Sequence, residues 1–197
     1  MGAVTIGVAT YDSMKTKTAF CLAAAVTTTI KAGVDVHFAA RSGPYTHWNR
    51  DALVEDAVNA GTGHLMMIDT DIVFPADAIL TLLSRGKDVI GGAYLAKKLP
   101  PEHTIKMPPV TIRDGVPYFA EQQDVTLPAE PFQCAAVPTG FMLIDMRAIE
   151  KLERPLFPCV SPVGEDVAFC LKCADAGLEI WCDPTLGLGH LGDYEYR

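Results

Sequence analysis

The chain has 197 residues, 49% of them hydrophobic and 20% charged, with a formal net charge of −8 at pH 7. That length and balance predict a single soluble α/β domain with a sizeable core, and the acidic excess excludes a general binder of nucleic-acid backbones. The longest apolar run, FCLAAAV at 20–26, is far shorter than the roughly 20 residues of a membrane span and ends in three threonines.

VTIGVAT (4–10) predicts a first strand, followed by a helix from Lys15 to Ala32 that Gly33 stops. DVHFAA (35–40) reads as a second strand. Leu53, Val54, Ala57 and Val58 at helical spacing predict a helix over 47–61, again closed by glycine. HLMMID (64–69) is a third strand, and Pro75 suits the first turn of a helix carrying Ile79, Leu82 and Leu83 before Gly86. DVIGGAYL (88–95) predicts a fourth strand whose glycine pair marks close approach of a ligand or of backbone.

Eight of the fourteen prolines lie from Pro100 to Pro138, which predicts loops, short edge strands and a hairpin around Asp114-Gly115. Regular structure is expected again in GFMLIDM (140–146), a short helix, and a longer helix within GEDVAFCLKCADAG (164–177). Its inner face is expected to carry Val167, Cys170, Leu171 and Ala174, leaving Cys173 partly exposed. EIWCD (179–183) reads as the last strand, and LGLGHLG (186–192) ends the ordered chain. Strands alternating with helices predict an α/β fold with a sheet flanked by helices.

The six cysteines (21, 134, 159, 170, 173, 182) form no disulfide framework, and Cys170-x-x-Cys173 has no second pair at zinc-ligand spacing. With no secretion signal evident at the N-terminus, a reducing, cytoplasmic setting is expected.

Chemistry concentrates where HLMMID runs into TDIVFP. Asp69 and Asp71 follow an apolar strand at its carboxyl end, where ligands of open α/β sheets bind. Alternation aims both carboxylates to one side, about 6–7 Å apart along the chain. That spacing suits one carboxylate on a hard divalent cation, Mn²⁺ or Mg²⁺, and the other on a ribose hydroxyl or metal-bound water. The alternative is that one of them merely caps the helix near Pro75. Glu165 and Asp166 open a helix, where acidic groups are stabilised by the dipole and a carboxylate kept ionised can also serve as general base. His190 stands between glycines, and its imidazole is a ligand type suited to Mn²⁺.

The order MIDTDIVFP, GGAYL, VPTGFMLID, GEDVAFC and GLGH resembles the glycosyltransferase A fold, most closely the inverting family-two-type enzymes, over Val4 to about Gly192. The resemblance implies a Rossmann-like mixed sheet, with a nucleotide-binding half over about 1–98 and an acceptor and catalytic half over about 99–197. It implies transfer of a sugar from a nucleotide-diphosphate donor, with a UDP-sugar favoured, to an acceptor hydroxyl on a glycan, a protein or a small molecule.

By the family's motifs, Asp71 would bind the metal with His190, Asp69 would contact ribose or metal-bound water, and Thr70 lies between them. Asp166, beside Glu165, would be the base. Thr10, Tyr11 and Asp12 match the loop that meets the nucleobase, Asn49 and Arg50 match a nucleotide-contacting helix start, and Lys97 and Lys98 stand where a loop closes over the diphosphate. Each of these three groups has a plain alternative as a solvated turn, helix face or loop.

A metal-dependent nucleotidyltransferase is the rival enzyme, although GVATYDSMKTKT lacks the expected glycine-rich phosphate loop. A non-catalytic sugar-nucleotide binding module is the other, and a homo-oligomer is compatible with either.

Overall fold

The computed structural model describes residues 2–98, 102–108, 110–113, 116–119, 126–160, 163–192 and 195–196. In chain order the elements begin with β1 (Val4–Thr10), α1 (Thr16–Lys31), β2 (Val36–Ser42), α2 (Thr46–Ala60), β3 (His64–Asp69) and β4 (Ile72–Val73). There follow α3 (Ala78–Arg85), β5 (Val89–Gly92), β6 (Thr111–Arg113), β7 (Val116–Tyr118), β8 (Phe132–Gln133) and β9 (Phe141–Asp145). The last are α4 (Met146–Ile149), α5 (Glu165–Asp175), β10 (Ile180–Asp183), a 3₁₀ turn at Pro184–Leu186, β11 (Gly189–Leu191) and β12 (Glu195–Tyr196).

The main sheet has seven strands in the order β2-β1-β3-β9-β5-β10-β8. β1 runs parallel to β2 and β3, and β10 runs parallel to β5. β9 is antiparallel to both neighbours, β3 and β5, so the sheet is mixed. Its central strands are apolar without alternation because both faces are covered. On β3, Met66 and Ile68 join a core layer with residues of α1 and α3. Leu65 and Met67 join the opposite layer, with Val54 and Ala57 of α2 and Val167, Phe169, Cys170 and Cys173 of α5. The helices therefore flank the sheet on both sides, as the α/β reading expects.

Several boundaries differ from the sequence expectation for identifiable reasons. No helix begins at Pro75. The chain instead leaves β3 after Asp69 and forms β4, which pairs with β11 and starts a separate sheet of order β12-β11-β4. α3 begins only at Ala78, with Asp77 at its N-cap position, so neither Asp69 nor Asp71 caps it. EIWCD is thus not the last strand, since β11 lies within LGLGHLG: His190 pairs opposite Ile72, and Leu191 N–H donates to Asp71 O at 2.8 Å.

The glycine pair that ends β5 meets protein. A Cβ on Gly91 would lie 3.0 Å from the Phe141 carbonyl oxygen, and one on Gly92 would lie 2.3 Å from Leu188. The inner face of α5 is also rotated from the expected one. Cys173 is fully buried along with Cys170, whereas Ala174 is exposed, because Phe169 and Cys173 turn toward the core. Helix α2 does end as expected, on Gly61 in the left-handed region at φ 65°. β6 and β7 pair antiparallel as the hairpin reading expects, while Asp114 and Gly115 themselves lie outside the described residues. All six cysteines are free. No helix among the described residues is long and apolar enough to cross a membrane.

Candidate functional site at the exit of the third strand

β3 carries Asp69 to the carboxyl end of the sheet, where its N–H donates to Gly140 O at 2.9 Å. Gly140 leaves room that no other residue would. A Cβ there would sit 2.2 Å from the Tyr94 hydroxyl and 3.0 Å from Asp69 Oδ2. Tyr94 is buried, and burial together with the charge of Asp69 pushes its phenol well above the ordinary value, so it stays protonated.

The anchor of the site is Arg50, on the inner face of α2 and only 5% exposed. Its guanidinium donates to Asp69 at 3.2 and 3.4 Å and pairs with Glu165 at the start of α5. Burial works against its charge, yet Asp69, Glu165 and Asp166 together raise its pKa above the ordinary value. The neighbouring Asp51 accepts from Leu156 N–H at 2.8 Å and fixes the approach to α5. α2 therefore positions one member of each acidic pair, Asp69 and Glu165.

Asp166 adopts a rotamer that only Gly164 permits, since a Cβ on that residue would lie 2.8 Å from Asp166 Oδ1. Its carboxylate accepts from Val167 N–H at 2.7 Å. The sequence reading expected the helix N-terminus to favour ionisation. Burial is the larger effect here and pushes the Asp166 pKa up, against the Val167 hydrogen bond and Arg50.

Asp71 faces the small sheet. His190 Nδ1 lies 3.0 Å from Leu95 O, and a carbonyl only accepts, so Nδ1 carries the proton. Nε2 is then turned toward Asp71 Oδ1, 3.4 Å away, while Lys97 pairs with Oδ2. Burial opposes the charge on Asp71, but a hydrogen bond from His190, which Nε2 makes only when it too carries a proton, and the Lys97 ammonium outweigh it and hold the carboxyl below its ordinary value. Tyr94 packs its ring edgewise on His190, with centroids 5.1 Å apart.

Ala9, Thr10, Tyr11, Thr46, Arg50, Asp69, Thr70, Asp71 and Glu165 line a polar cleft of about 310 Å³. Of the nucleotide-side residues expected from sequence, Thr10, Tyr11, Arg50, Asp69, Thr70 and Asp71 thus come together, and His190 and Lys97 join through Asp71. Asp12 instead lines a neighbouring cleft of about 240 Å³ with Met14 and Phe38, which Thr10 and Thr70 also border. Asn49 is occupied: its amide donates to Thr10 O at 3.3 Å and Gly43 O at 3.1 Å, so it shapes the loop after β1. Ser42 does the same through Tyr11 O at 2.6 Å.

Among the described residues no three His, Cys, Asp or Glu side chains converge as a metal cluster, and Asp69 is committed to Arg50. Asp71 with a correctly oriented His190 Nε2 still offers one carboxylate and one imidazole. That donor set fits Mn²⁺ or Mg²⁺, which commonly complete their shells with phosphate oxygens and water.

The sequence reading missed Tyr94, Gly140, Gly164 and the Leu95 carbonyl. The two glycines had no local signal, because each is required by a side chain distant in sequence or by one specific rotamer. Tyr94 stood in the quoted GGAYL without an assigned part.

This sheet order, with the acidic strand end opening onto a polar cleft, is the glycosyltransferase A fold. No family model matches the chain, and no curated protein matches it in sequence. Solved structures similar in fold include A197 from STIV and GalNAc-T7. A197 from STIV superposes with a TM-score of 0.65 at 16% identity, covering 97% of this chain and 86% of that one. GalNAc-T7, solved with UDP, GalNAc and Mn²⁺, superposes with a TM-score of 0.55 at 11% identity. That match covers 98% of this chain but 44% of GalNAc-T7, so the chain spans less than half the length of that protein.

Replacing Arg50 by Met leaves Asp69 and Glu165 without their shared counter-charge. The variant is expected to lose ~3 kcal/mol in chemical denaturation, the low end for a broken buried pair because water reaches both carboxylates. For Asp166 the folded pKa lies above the unfolded one, so its ionisation costs stability at neutral pH, and the cost vanishes below the unfolded value. Asp166→Asn is therefore expected to melt higher than the parent at pH 7, with the difference closing below the ordinary value of 3.8.

Proposed function

We propose that the chain is a metal-dependent glycosyltransferase that moves a sugar from a nucleotide-diphosphate donor, with a UDP-sugar favoured, to an acceptor hydroxyl with inversion. The observation that carries this reading is the corner formed by Asp71 and His190 Nε2 at the mouth of the polar cleft, with Asp166 at the start of the helix whose Glu165 lines that cleft. The fold shared with GalNAc-T7, which was solved with UDP, GalNAc and Mn²⁺, supports it.

In this reading the nucleobase lies against Thr10 and Tyr11, and the ribose hydroxyls meet Asp69, which keeps acceptor sites free beside Arg50. Asp71 and His190 would hold Mn²⁺ or Mg²⁺, which as a Lewis acid stabilises the negative charge building on the departing diphosphate. Asp166 takes the acceptor proton as the acceptor oxygen forms its bond to the anomeric carbon and the bond to the diphosphate breaks. Burial suits it to this work, since a general base is most effective with a pKa nearer the working pH. Glu165 orients Arg50 and so keeps α2 and α5 in register. The acceptor is a glycan, protein or small molecule. Six unpaired cysteines fit a reducing compartment such as the cytoplasm.

Calorimetric titration of UDP, GDP, CDP and dTDP, each with and without Mn²⁺, tests the donor site. One nucleotide is expected to bind only with metal, and Asp71→Ala is expected to abolish that binding. If none binds under either condition, the reading fails. Asp166→Asn is expected to keep nucleotide binding and to lower transfer by about 10²–10⁴-fold. Full transfer by that variant would remove Asp166 as the base.

A further inference from the structure

The segment that follows β5 makes three contacts with the Asp71 corner. The Tyr94 ring packs on His190, the Leu95 carbonyl accepts from His190 Nδ1, and the Lys97 ammonium pairs with Asp71. The segment is itself tied down. Ala96 N–H donates to Glu102 O at 2.8 Å, Leu95 bridges His103, Thr104 N–H donates to Tyr94 O at 3.0 Å, and Lys98 pairs with Glu102. Lys97 is thus delivered to Asp71 by a braced backbone, while about a third of its side chain remains exposed.

The two oxygens of Asp71 are divided: Oδ1 faces His190 Nε2, and Oδ2 holds Lys97. A divalent cation on Asp71 and His190 would meet the Lys97 charge on the same carboxylate. Like charges at such range repel strongly, so the ammonium and the metal cannot share Asp71 without loss. Phosphate oxygens arriving beside the metal offer Lys97 a stronger partner at hardly any distance.

We propose that Lys97 is an exchangeable counter-ion. It neutralises Asp71 in the metal-free protein and passes to the donor diphosphate when the metal takes its place. The inference rests on the donor-site reading above and deepens it by making Lys97 the residue that couples the two ligands. Lys97 opposes metal bound alone and favours metal bound with diphosphate, so the two bind with positive cooperativity.

The test compares the intact chain with Lys97→Met, reading Mn²⁺ binding by electron paramagnetic resonance without nucleotide and then calorimetric binding of pyrophosphate at saturating Mn²⁺. The variant is expected to bind Mn²⁺ roughly 5–10-fold more tightly and pyrophosphate roughly 10-fold more weakly, within the range of ordinary coupling. Lys97→Arg is expected to stay close to the parent in both. Equal or weaker Mn²⁺ binding by Lys97→Met overturns the exchange, as does unchanged pyrophosphate binding. Failure of both the parent and Lys97→Met to bind Mn²⁺, with pyrophosphate present as well as without it, would instead remove the metal site and the donor reading with it.

Discussion

One buried guanidinium holds the site in shape. Arg50 lies nearly out of water between Asp69 at the end of β3 and Glu165 at the start of α5, and α2 carries it. β3, α2 and α5 are tied together at this end of the sheet by its planar, multi-donor geometry, which a lysine would not reproduce. The same charge faces Asp166, so the helix that carries the acid is held against the strand end that carries the other two. A buried ion of this kind is retained only where every partner is in place, and the two glycines at 140 and 164 let the partners approach.

Around that anchor the site divides into two parts built on different sheets. The cleft belongs to the main sheet and to α2 and α5. The Asp71–His190 corner belongs to the short β4–β11 pairing, which begins where the chain leaves the main sheet. Burial shifts the two acids in opposite balance. Asp71 has cationic partners that overcome its desolvation, whereas Asp166 does not. Two carboxylates at the same end of the sheet are thus set apart by their surroundings.

Much of this was legible in the sequence. The apolar runs of β1, β3, β5 and β9, the glycine stop of α2 and the acidic start of α5 are local signals, and the structure follows them. Asp69, Thr70, Asp71, Arg50 and Glu165 line one cleft. What was hidden depends on contacts remote along the chain. β4 has only two residues and exists because β11 pairs with it more than a hundred residues later, so no local signal announces it. The face of α5 was misjudged at Cys173 and Ala174 because a short helix packed between a sheet and a loop segment buries more than one stripe. Asn49 and Asp12 were read as ligand contacts from position alone, while their side-chain surroundings direct one to backbone carbonyls and the other to an adjacent cleft.

The placement of β9 has a consequence for how the chain reaches this state. β3 and β5 are complete by residue 92, yet the strand that joins them in the sheet comes only at residues 141–145. During synthesis the early segment must wait, with two buried-type strand edges open, until that later strand arrives to close the gap between them. Such long-range closure slows folding and leaves pairing edges exposed meanwhile. A fragment ending near residue 98 would hold most of the cleft residues and the β2-β1-β3 pairing, but it would lack β9, which joins β3 to β5, and Glu165, which pairs with Arg50.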